Sequence, residues 1–537
     1  MKHVAAVPGN TQQWNNTEKP YHLECIHDIF ARQTGLTPDH IALVFGDHNV
    51  TYRELNSRAN RLARYLNTSG AEPGCMIGIY VERSIELVIS VLAILKAGCA
   101  YVPLATEYPP ERIKYLIADC DLHHIITGRS LVSGLILDKK ALKIILPDDA
   151  AIFDQKENDR PLPVRTSIYD PVYVIYTSGS TGNPKGVLIE HAGICNRLLW
   201  MQDRYRFTAD DAFLFKAPIG FDVSVYEIFF PILNGARVVI VKPGGQKNIK
   251  HLIKVMTREK VTMSVFIPPA MLDVFLETIK TTECTTLRTI ICGGEKWSFS
   301  LGEKCLAHLD ARLYNGYGPT EAAVGVTTFQ FDPHYDKKVV PLGRPITNVK
   351  AYILDEDLKQ VSVDETGELC ISGICLARGY INNPELTALK FRRNPFAGAG
   401  QKEYARMYMS GDLAKGLDDG CIEFYGRKDN QVKVGGVRIE PGEIESILLQ
   451  HPGIIEAVVL CKVLPDDNKI LAAFIVPRNK DAVDAATVRD YLSIRVSEAM
   501  IPAIIKIAAD LPLTENNKVD KNKLLTMLSL KEDEPRR

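Results

Sequence analysis

Residues 172–186 read VYVIYTSGSTGNPKG, an apolar run that passes into a loop of glycine, serine and threonine. The β-branched and aromatic residues predict a buried strand, and the loop leaves its carboxyl end. In α/β proteins phosphate binds at that end of a strand. Glycines let backbone N–H groups face an anion, hydroxyls add donors, and Lys185 adds a positive charge. We therefore predict a phosphate-binding loop at 177–186; a flexible linker is the alternative that this composition leaves open.

The composition is that of an ordinary folded protein with more than one domain. The 537 residues exceed what one hydrophobic core holds, and 46% hydrophobic with 24% charged residues is typical of globular chains. Lys and Arg total 64 against 65 for Asp and Glu, so no charge excess favours nucleic acid or an anionic membrane. We expect a protein that acts on small molecules.

The cysteines and the apolar runs indicate the cellular compartment of the protein. The 12 cysteines contain no Cys-x-x-Cys pair, as in reduced cytosolic proteins rather than disulfide or zinc frameworks. The amino terminus lacks the apolar core of a signal peptide, and the longest apolar run, 87–95, is too short to span a bilayer. These patterns predict a cytoplasmic protein that does not enter a membrane.

Strand-like runs alternate with amphipathic stretches through most of the chain. We expect strands at 76–81, 172–176, 213–216, 237–241, 263–267 and 289–292. We expect helices at 84–96 and at 54–66, where Leu55, Leu62, Tyr65 and Leu66 share a face. This alternation predicts an α/β fold of layered, mainly parallel sheets and helices.

A polar segment at 426–431 separates this region from a tail with its own alternation. In the tail we expect strands at 457–463 and 471–476 and a helix at 487–500. We predict a large N-terminal domain at residues 1–428 and a small C-terminal α+β domain at residues 429–537.

Two further motifs lie downstream of the loop. Residues 315–321 (NGYGPTE) offer an aromatic ring for a base, a hydroxyl for a phosphate and a carboxylate for a metal ion. Residues 408–413 (YMSGDL) include Asp412, a carboxylate that suits ribose hydroxyls. Both runs are also common turn sequences, so residue types alone leave a purely structural role open.

In this order the motifs resemble those of the adenylate-forming enzymes, and within them the amino-acid adenylation domains of nonribosomal peptide synthetases. The resemblance covers nearly the whole chain and implies a large core with a small mobile C-terminal domain. The other motifs that carry the resemblance are TYREL (51–55), LKAGCAYVPL (95–104), FDVS (221–224), GEL (367–369), ARGY (377–380), GRKDNQVK (426–433), RIEPGEIE (438–445) and LPLT (511–514).

The resemblance implies a reaction in two halves. An amino-acid carboxylate attacks the α-phosphorus of ATP, releasing pyrophosphate, and the acyl group of the aminoacyl-adenylate then passes to the phosphopantetheine thiol of a carrier protein. Glu321 is implied as the Mg²⁺ ligand. The implied ATP-binding residues are Thr177, Ser178, Gly179, Ser180, Thr181, Gly182 and Lys185 at the β- and γ-phosphates, Asn315 and Tyr317 at adenine, Thr320 at the α-phosphate, and Asp412 and Arg427 at ribose.

The same resemblance places the catalytic lysine at Lys518, in the run LPLTENNK (511–518). It would bridge the substrate carboxylate and the nucleotide, then leave as the C-terminal domain rotates about a hinge at Asp429. That rotation would bring residues 434–436 toward the thiol, where glycine permits close backbone approach. Composition alone would make Lys518 a solvated surface charge beside Lys521 and Lys523.

Asp222 stands where amino-acid-activating members keep a carboxylate for the substrate ammonium. A cation that enters a dry pocket needs a paired charge; a helix N-cap is the alternative role. The other implied pocket residues are Val223, Tyr226, Phe266, Ile291, Gly293, Gly316, Val324 and Gly325. They include no second charge, which disfavours an acidic or basic substrate side chain. We expect proline first, and valine or isoleucine next.

The partners expected are an amino acid, ATP and a carrier protein. No pantetheine attachment sequence follows Lys518, so we expect a free-standing enzyme that meets its carrier in trans and resembles prolyl-carrier-protein ligases such as that of the anatoxin pathway. The alternative is a domain removed from a longer synthetase. An acyl- or aryl-CoA ligase is the other possibility within the superfamily, but it would not need Asp222.

Overall fold

The computed structural model describes residues 13–135, 142–149, 152, 160, 162–163, 166–179, 182–464, 469–479, 483–513 and 519–528. Its first strands are β1 (Ile41–Phe45), β2 (His48–Thr51), β3 (Met76–Tyr80), β4 (Ala100–Pro103), β5 (His124–Thr127), β6 (Lys143–Ile145), β7 (Pro171–Thr177), β8 (Lys185–Glu190), β9 (Ala212–Phe215), β10 (Arg237–Ile240), β11 (Met263–Phe266), β12 (Thr289–Gly293) and β13 (Arg312–Tyr317). The later strands are β14 (Thr327–Gln330), β15 (Arg344–Pro345), β16 (Val349–Leu354), β17 (Thr366–Gly373), β18 (Gly379–Tyr380), β19 (Phe391–Arg393), β20 (Arg406–Gly416), β21 (Ile422–Arg427), β22 (Val432–Val434), β23 (Val437–Ile439), β24 (Ile454–Val463), β25 (Lys469–Pro477) and β26 (Ile504–Ile507).

The α-helices lie between these strands and pack on the sheets. They are α1 (Ile26–Leu36), α2 (Tyr52–Thr68), α3 (Ile85–Lys96), α4 (Pro110–Asp119), α5 (His191–Tyr205), α6 (Val223–Ile232), α7 (Ile249–Arg258), α8 (Pro269–Thr278), α9 (Phe299–His308), α10 (Pro384–Lys390), α11 (Pro441–Leu449), α12 (Ala485–Ser493) and α13 (Lys521–Thr526).

Two large sheets carry the parallel strands that the sequence predicts. In the described residues the first sheet has the order β15-β14-β13-β12-β11-β9-β10-β1-β2, parallel from β13 to β1. The second has the order β18-β8-β7-β4-β3-β5-β6, parallel from β7 to β6. One cluster of buried side chains joins helices and strands of both sheets. The predicted layered α/β fold is confirmed for this part of the molecule.

A third sheet was not foreseen from the sequence. It pairs β16, β17, β20 and β19, with β21 on β20, and each described pairing is antiparallel. Antiparallel strands need no helical crossover, and here strands distant in the chain pair with each other, so the alternation that predicted the parallel sheets is silent here. This sheet places Asp412 and Arg427 side by side, since their Cα atoms are partners across β20 and β21.

Helix α2 shows how the local sequence sets an element. The Thr51 side chain accepts from the Glu54 backbone N–H while Glu54 returns a bond to Thr51, a capping box that begins the helix. Leu62 and Leu66 are buried as predicted, but Tyr65 is 41% exposed. At 100° per residue Tyr65 lies 80° from the centre of the apolar stripe, so it falls at the stripe's edge.

The C-terminal part contains the two-stranded β22–β23 hairpin and the sheet β24-β25-β26, with helices α11 to α13. Its two clusters of buried side chains draw on described residues from Ile439 onward, which is consistent with a separate core. The boundary at 428/429 stays a prediction. Helix α12 is shorter than expected because the Arg495 N–H bonds to the Leu492 carbonyl, three residues back, which tightens and ends the turn.

Helices in the described part of the chain were also compared with the thickness of a bilayer. None of them combines the length and the apolar character that crossing a membrane requires.

Candidate active site

A cavity of about 720 Å³ lies between strand ends of all three large sheets, the start of α6 and the β22–β23 hairpin. Such a cleft with a few convergent polar groups is where small molecules bind. Most of the predicted site residues line it: Thr177, Ser178, Asp222, Val223, Tyr226, Ile291, Asn315, Gly316, Tyr317, Thr320, Val324, Gly325, Asp412, Arg427 and Asp429. Residues far apart in sequence are thus brought to one space by the carboxyl ends of the strands.

Several other predicted residues do not line the cavity. Phe266 is fully buried and packs on Phe275. Gly293 faces the neighbouring strand, where an added Cβ would lie 2.3 Å from the Gly316 carbonyl oxygen. Ser180, Thr181 and Lys518 lie outside the described residues.

Asp412 and Arg427 form the centre of one wall. The Arg427 guanidinium donates to Asp412 at 2.7 Å and to Asp429 at 2.7 and 2.6 Å. The Tyr317 hydroxyl donates to the other Asp412 oxygen. The two predicted ribose residues and Tyr317 therefore form one connected network, and the predicted hinge residue Asp429 is bonded to Arg427.

Asn315 is held in place from both sides. The Trp297 indole donates to its side-chain oxygen at 3.0 Å, and its side-chain nitrogen donates to the Pro341 carbonyl at 2.8 Å. These two bonds fix the amide orientation at the end of β13. Asn315 therefore presents a side chain of fixed orientation in the cavity wall that also contains Tyr317.

Glu321 is completely buried and surrounded by donors. The Tyr380 hydroxyl donates to one carboxylate oxygen at 2.8 Å, Arg438 donates to the other at 2.8 Å, and the Lys185 ammonium is 3.7 Å away. Burial alone would raise the pKa of Glu321, but the charges of Arg438 and Lys185 hold it well below its usual value. The carboxylate is ionised and fully compensated.

The phosphate-binding loop contacts the C-terminal part directly. The Gly179 N–H donates to the Glu443 carboxylate at 3.1 Å, and the Ser178 hydroxyl donates to the Arg438 carbonyl at 2.9 Å. Gly182 adopts a φ of 92°, where a Cβ would also meet the Ser446 side chain. A backbone donor of the loop thus already meets a carboxyl oxygen, and phosphate binding by the loop stays a prediction.

Glu443 is the anion in that contact. It is 1% exposed and lies 3.5 Å from the Arg112 guanidinium. Burial raises its pKa to about 7, and Arg112 acts against that rise.

Asp222 occupies the N-cap position of α6 but makes no side-chain cap there, so the capping alternative is not realised. Its carboxyl faces the cavity and bonds to Thr320. Burial raises its pKa to about 6, while Thr320 and the charge of Lys433 lower it. The group is poised to accept a cation.

The β22–β23 hairpin enters the cavity from the C-terminal part. Gly435 and Gly436 have φ of 58° and 78°, the left-handed pair that a two-residue hairpin turn requires. The Gly436 N–H donates to Glu295 at 2.6 Å, and an added Cβ would meet Ile267. Glycine therefore permits the close approach predicted for residues 434–436.

Sequence reasoning missed several charged residues at this site. Arg438, Glu443 and Lys433 belong to quoted motifs, but no role could be assigned without knowing how the C-terminal part packs. Arg197 also lines the cavity, from a helix that is buried on nearly all sides. The signal that could have found it is a lone arginine in the apolar run 194–201.

Comparisons with known proteins agree with this geometry. Residues 30–381 match the AMP-binding enzyme family, and residues 443–518 match the AMP-binding enzyme C-terminal domain. The chain is 39% identical to tyrocidine synthase 3 of Brevibacillus parabrevis over 499 residues, 93% of this chain but 8% of that protein. It is 38% identical to zwittermicin A synthase ZmaJ of Bacillus cereus over 513 residues, 94% of this chain and 95% of that protein.

Solved structures give the same result. An artificially fused adenylation–PCP didomain from Klebsiella oxytoca has a TM-score of 0.80 at 26% identity, covering 90% of this chain and 87% of that one. A four-domain nonribosomal peptide synthetase bound to AMP and glycine has a TM-score of 0.70 at 31% identity, covering 95% and 37%. The fold is that of an adenylate-forming ligase. The chain belongs to the AMP-binding enzyme family, within the amino-acid adenylation domains of nonribosomal peptide synthetases.

Proposed function

We propose that this protein activates an L-amino acid with ATP and then transfers it to a thiol. The first half-reaction forms aminoacyl-AMP and releases pyrophosphate. The second forms a thioester on the phosphopantetheine of a carrier protein, which we propose is met in trans.

The observation that carries the proposal is the position of Asp222. Its uncapped carboxyl opens onto the same cavity as Tyr317, Asp412 and Arg427. An ammonium that pairs with Asp222 would therefore place its own carboxylate near a nucleotide held on the opposite wall, and such positioning is itself a large part of catalysis. An acyl or aryl substrate would leave the carboxyl of Asp222 without use.

The nucleotide-binding roles that the family resemblance implies are part of the same proposal. Tyr317 would stack on adenine beside the fixed Asn315 amide, Asp412 would accept from ribose hydroxyls, and the donors of the 177–185 loop would hold the β- and γ-phosphates. Thr320 would contact the α-phosphate.

Glu321 would hold Mg²⁺. A buried ionised carboxylate fits that ion, which usually takes one or two protein carboxylates together with substrate phosphates. The ion would neutralise charge on the phosphate oxygens. The same oxygens now bond to Arg438 and Tyr380, so Arg438 would have to withdraw first.

The arrangement described here fits the second half-reaction better than the first. Glu443 fills the anion position of the phosphate loop, and the β22–β23 hairpin lines the cavity. Leu513 and Val519, on either side of Lys518, pair with each other and are not among the cavity residues. Adenylation would require the C-terminal part to rotate about Asp429 until Lys518 reaches the substrate.

The identity of the amino acid is the finer part of the proposal. The pocket residues carried over from the family pattern favour proline, then valine or isoleucine, because they are uncharged and small on one side. They do not include Arg197, which also lines the cavity.

The direct test is amino-acid-dependent ATP–pyrophosphate exchange across the proteinogenic set, with wild type and Asp222→Asn. This variant keeps the shape of the side chain but loses its charge. We expect exchange with at least one amino acid and a loss of about 10²-fold in kcat/KM for the variant, because an unpaired buried ammonium is costly.

Ser497→Ala is the matched control, since Ser497 lines the far edge of the cavity without a charge. Exchange driven by fatty or aromatic acids, unaffected by Asp222→Asn, would instead assign the protein to the acyl- or aryl-CoA ligases.

A further inference from the structure

Arg197 is a buried cation on the wall of the cavity. It lies on α5, is 4% exposed, and borders two pocket positions, Tyr226 and Gly325. A Cβ at Gly325 would lie 2.9 Å from the guanidinium carbon, so only the lack of a side chain there leaves the guanidinium open to the cavity. The pocket therefore contains a second charge besides Asp222.

The surroundings of Arg197 are aromatic. Its guanidinium carbon lies 4.6 Å from the centre of the Trp200 ring and 5.9 Å from that of Tyr226. Such contacts hold a cation in position and offset part of its desolvation. They accept no N–H hydrogen bond in the plane of the guanidinium, so the stacking leaves Nε and Nη1 without an acceptor.

No described residue pairs with this charge. Nε and Nη1 of Arg197 are buried without a hydrogen-bond acceptor, and no described carboxylate forms an ion pair with it. Burial lowers the pKa of the guanidinium, as expected for a cation taken from water without a partner. Other buried cations near the cavity differ, because Arg438 and Lys185 both meet Glu321.

Asp222, Tyr226 and Arg197 line the same cavity. Tyr226 follows Asp222 by about one turn of α6, and the centre of its ring lies 5.9 Å from the guanidinium carbon of Arg197. A bound amino acid that gives its ammonium to Asp222 would thus place its side chain in the pocket that Arg197 borders.

We infer that Arg197 binds the substrate side chain and that the pocket selects an amino acid with a side-chain carboxylate, such as aspartate, glutamate or an analogue. This rests on the proposed function. It replaces the expectation of proline, which assumed a pocket without a second charge. A planar guanidinium binds a carboxylate through two parallel hydrogen bonds, a geometry that proline or valine cannot use.

The test compares exchange with aspartate, glutamate, asparagine, glutamine, proline and valine. We expect wild type to prefer an acidic amino acid over every uncharged one by at least about 10²-fold in kcat/KM. Arg197→Met should lose that preference while keeping its slower exchange with uncharged amino acids. Arg197→Lys, which keeps the charge but not the planar fork, should keep the preference at reduced kcat/KM.

Arg204→Met is the matched control. Arg204 lies on the same helix and also packs on an aromatic ring, that of Tyr314, but it is exposed and does not line the cavity. It should leave substrate preference unchanged. A role for Arg197 in folding alone would lower the melting temperature without changing the ratio between acidic and uncharged substrates.

Wild-type exchange that is strongest with proline or valine would overturn the inference and leave the proposed function standing. An unchanged ratio in Arg197→Met would also overturn it. Exchange with no amino acid would overturn the proposed function and the inference together. If Arg197→Met does not fold, the inference is tested by the preference of wild type and of Arg197→Lys for acidic over uncharged amino acids.

Discussion

The two halves of the cavity treat charge differently. On the nucleotide side each buried ion that the structure describes has a partner: Asp412 has Arg427, Glu321 has Arg438 and Lys185, and Glu443 has Arg112. On the amino-acid side Arg197 has no partner among the described residues, and Asp222 bonds to the Thr320 hydroxyl and interacts with the charge of Lys433 without a described ion pair.

The two halves differ in what their charged residues contact when no substrate is bound. Two of the nucleotide-side contacts, from Arg438 and Glu443, come from the C-terminal part and occupy positions that the proposed function gives to metal and phosphate. On the amino-acid side the described C-terminal residue Lys433 acts on Asp222 only through its charge, and Arg197 has no described partner. We therefore expect mutations on the nucleotide side to shift the balance between two arrangements, and mutations in the pocket to change which substrate binds.

Of the changes that test this difference between the two halves, Lys518→Ala should have the largest effect on activity. If Lys518 enters the nucleotide side only for adenylation, exchange should fall by about 10²- to 10³-fold, as when a group that stabilises a transition state is removed. Thioester formation from synthetic aminoacyl-AMP and pantetheine should stay within about twofold, because that step uses the arrangement described here.

The neighbouring exposed lysine Lys523 gives the control, and Lys523→Ala should retain both activities. Full exchange activity in Lys518→Ala would contradict the catalytic assignment.

Lowering the pH should have a smaller effect, which acts on binding of the amino acid. Because burial raises the pKa of Asp222 to about 6, the carboxyl becomes protonated as the pH falls through that value and can no longer pair with an ammonium. We expect KM for the amino acid to rise by about tenfold per pH unit below 6, with kcat at saturation little changed.

In Asp222→Asn the KM should be high at every pH and the profile flat in this range. A wild-type KM that stays constant from pH 7 to pH 5 would show that the charge state of Asp222 does not govern binding.

The smallest effect should come from Glu443→Gln. It removes the charge from the contact with Gly179, a charge-assisted hydrogen bond, and so weakens the arrangement described here. Thioester formation with pantetheine should slow by about fivefold, while exchange should be equal or faster.

Glu445→Gln is the control, because Glu445 lies on the same helix but bonds to the Val459 N–H inside the C-terminal part. Equal loss of both half-reactions in Glu443→Gln would mean that this contact stabilises the fold rather than one arrangement.

Much of the fold could be predicted from local pattern. The strands that contain 172–176 and 263–266 are buried runs with turn residues at their ends, and hydrophobic periodicity identifies such segments directly. The antiparallel sheet with β20 and β21 was missed because its pairing depends on contacts between distant strands. Helix α12 was overextended because Val496 continues the helical spacing of Val488 and Leu492 after the backbone has turned.

The residues of the candidate site also divide into those that motifs predict and those that only tertiary packing reveals. Motif order predicted Tyr317, Asp412 and Arg427 together, and the structure places them in one network. Arg197 was missed because an arginine in a helix is usually a solvated charge. Its position in the apolar run 194–201 indicates burial, but only tertiary packing shows that its side chain borders the cavity. The partners of Glu321 depend on where the C-terminal part docks, which no local pattern specifies.

The Gly179 N–H carries one hydrogen, and it now points at Glu443. A phosphate oxygen that enters the loop would need the same hydrogen, so the carboxylate and the incoming nucleotide exclude each other. A new ATP could then be accepted only after the C-terminal part has released the loop. The sequence of steps in a turnover would thus be enforced by competition for a single donor, without a separate timing signal.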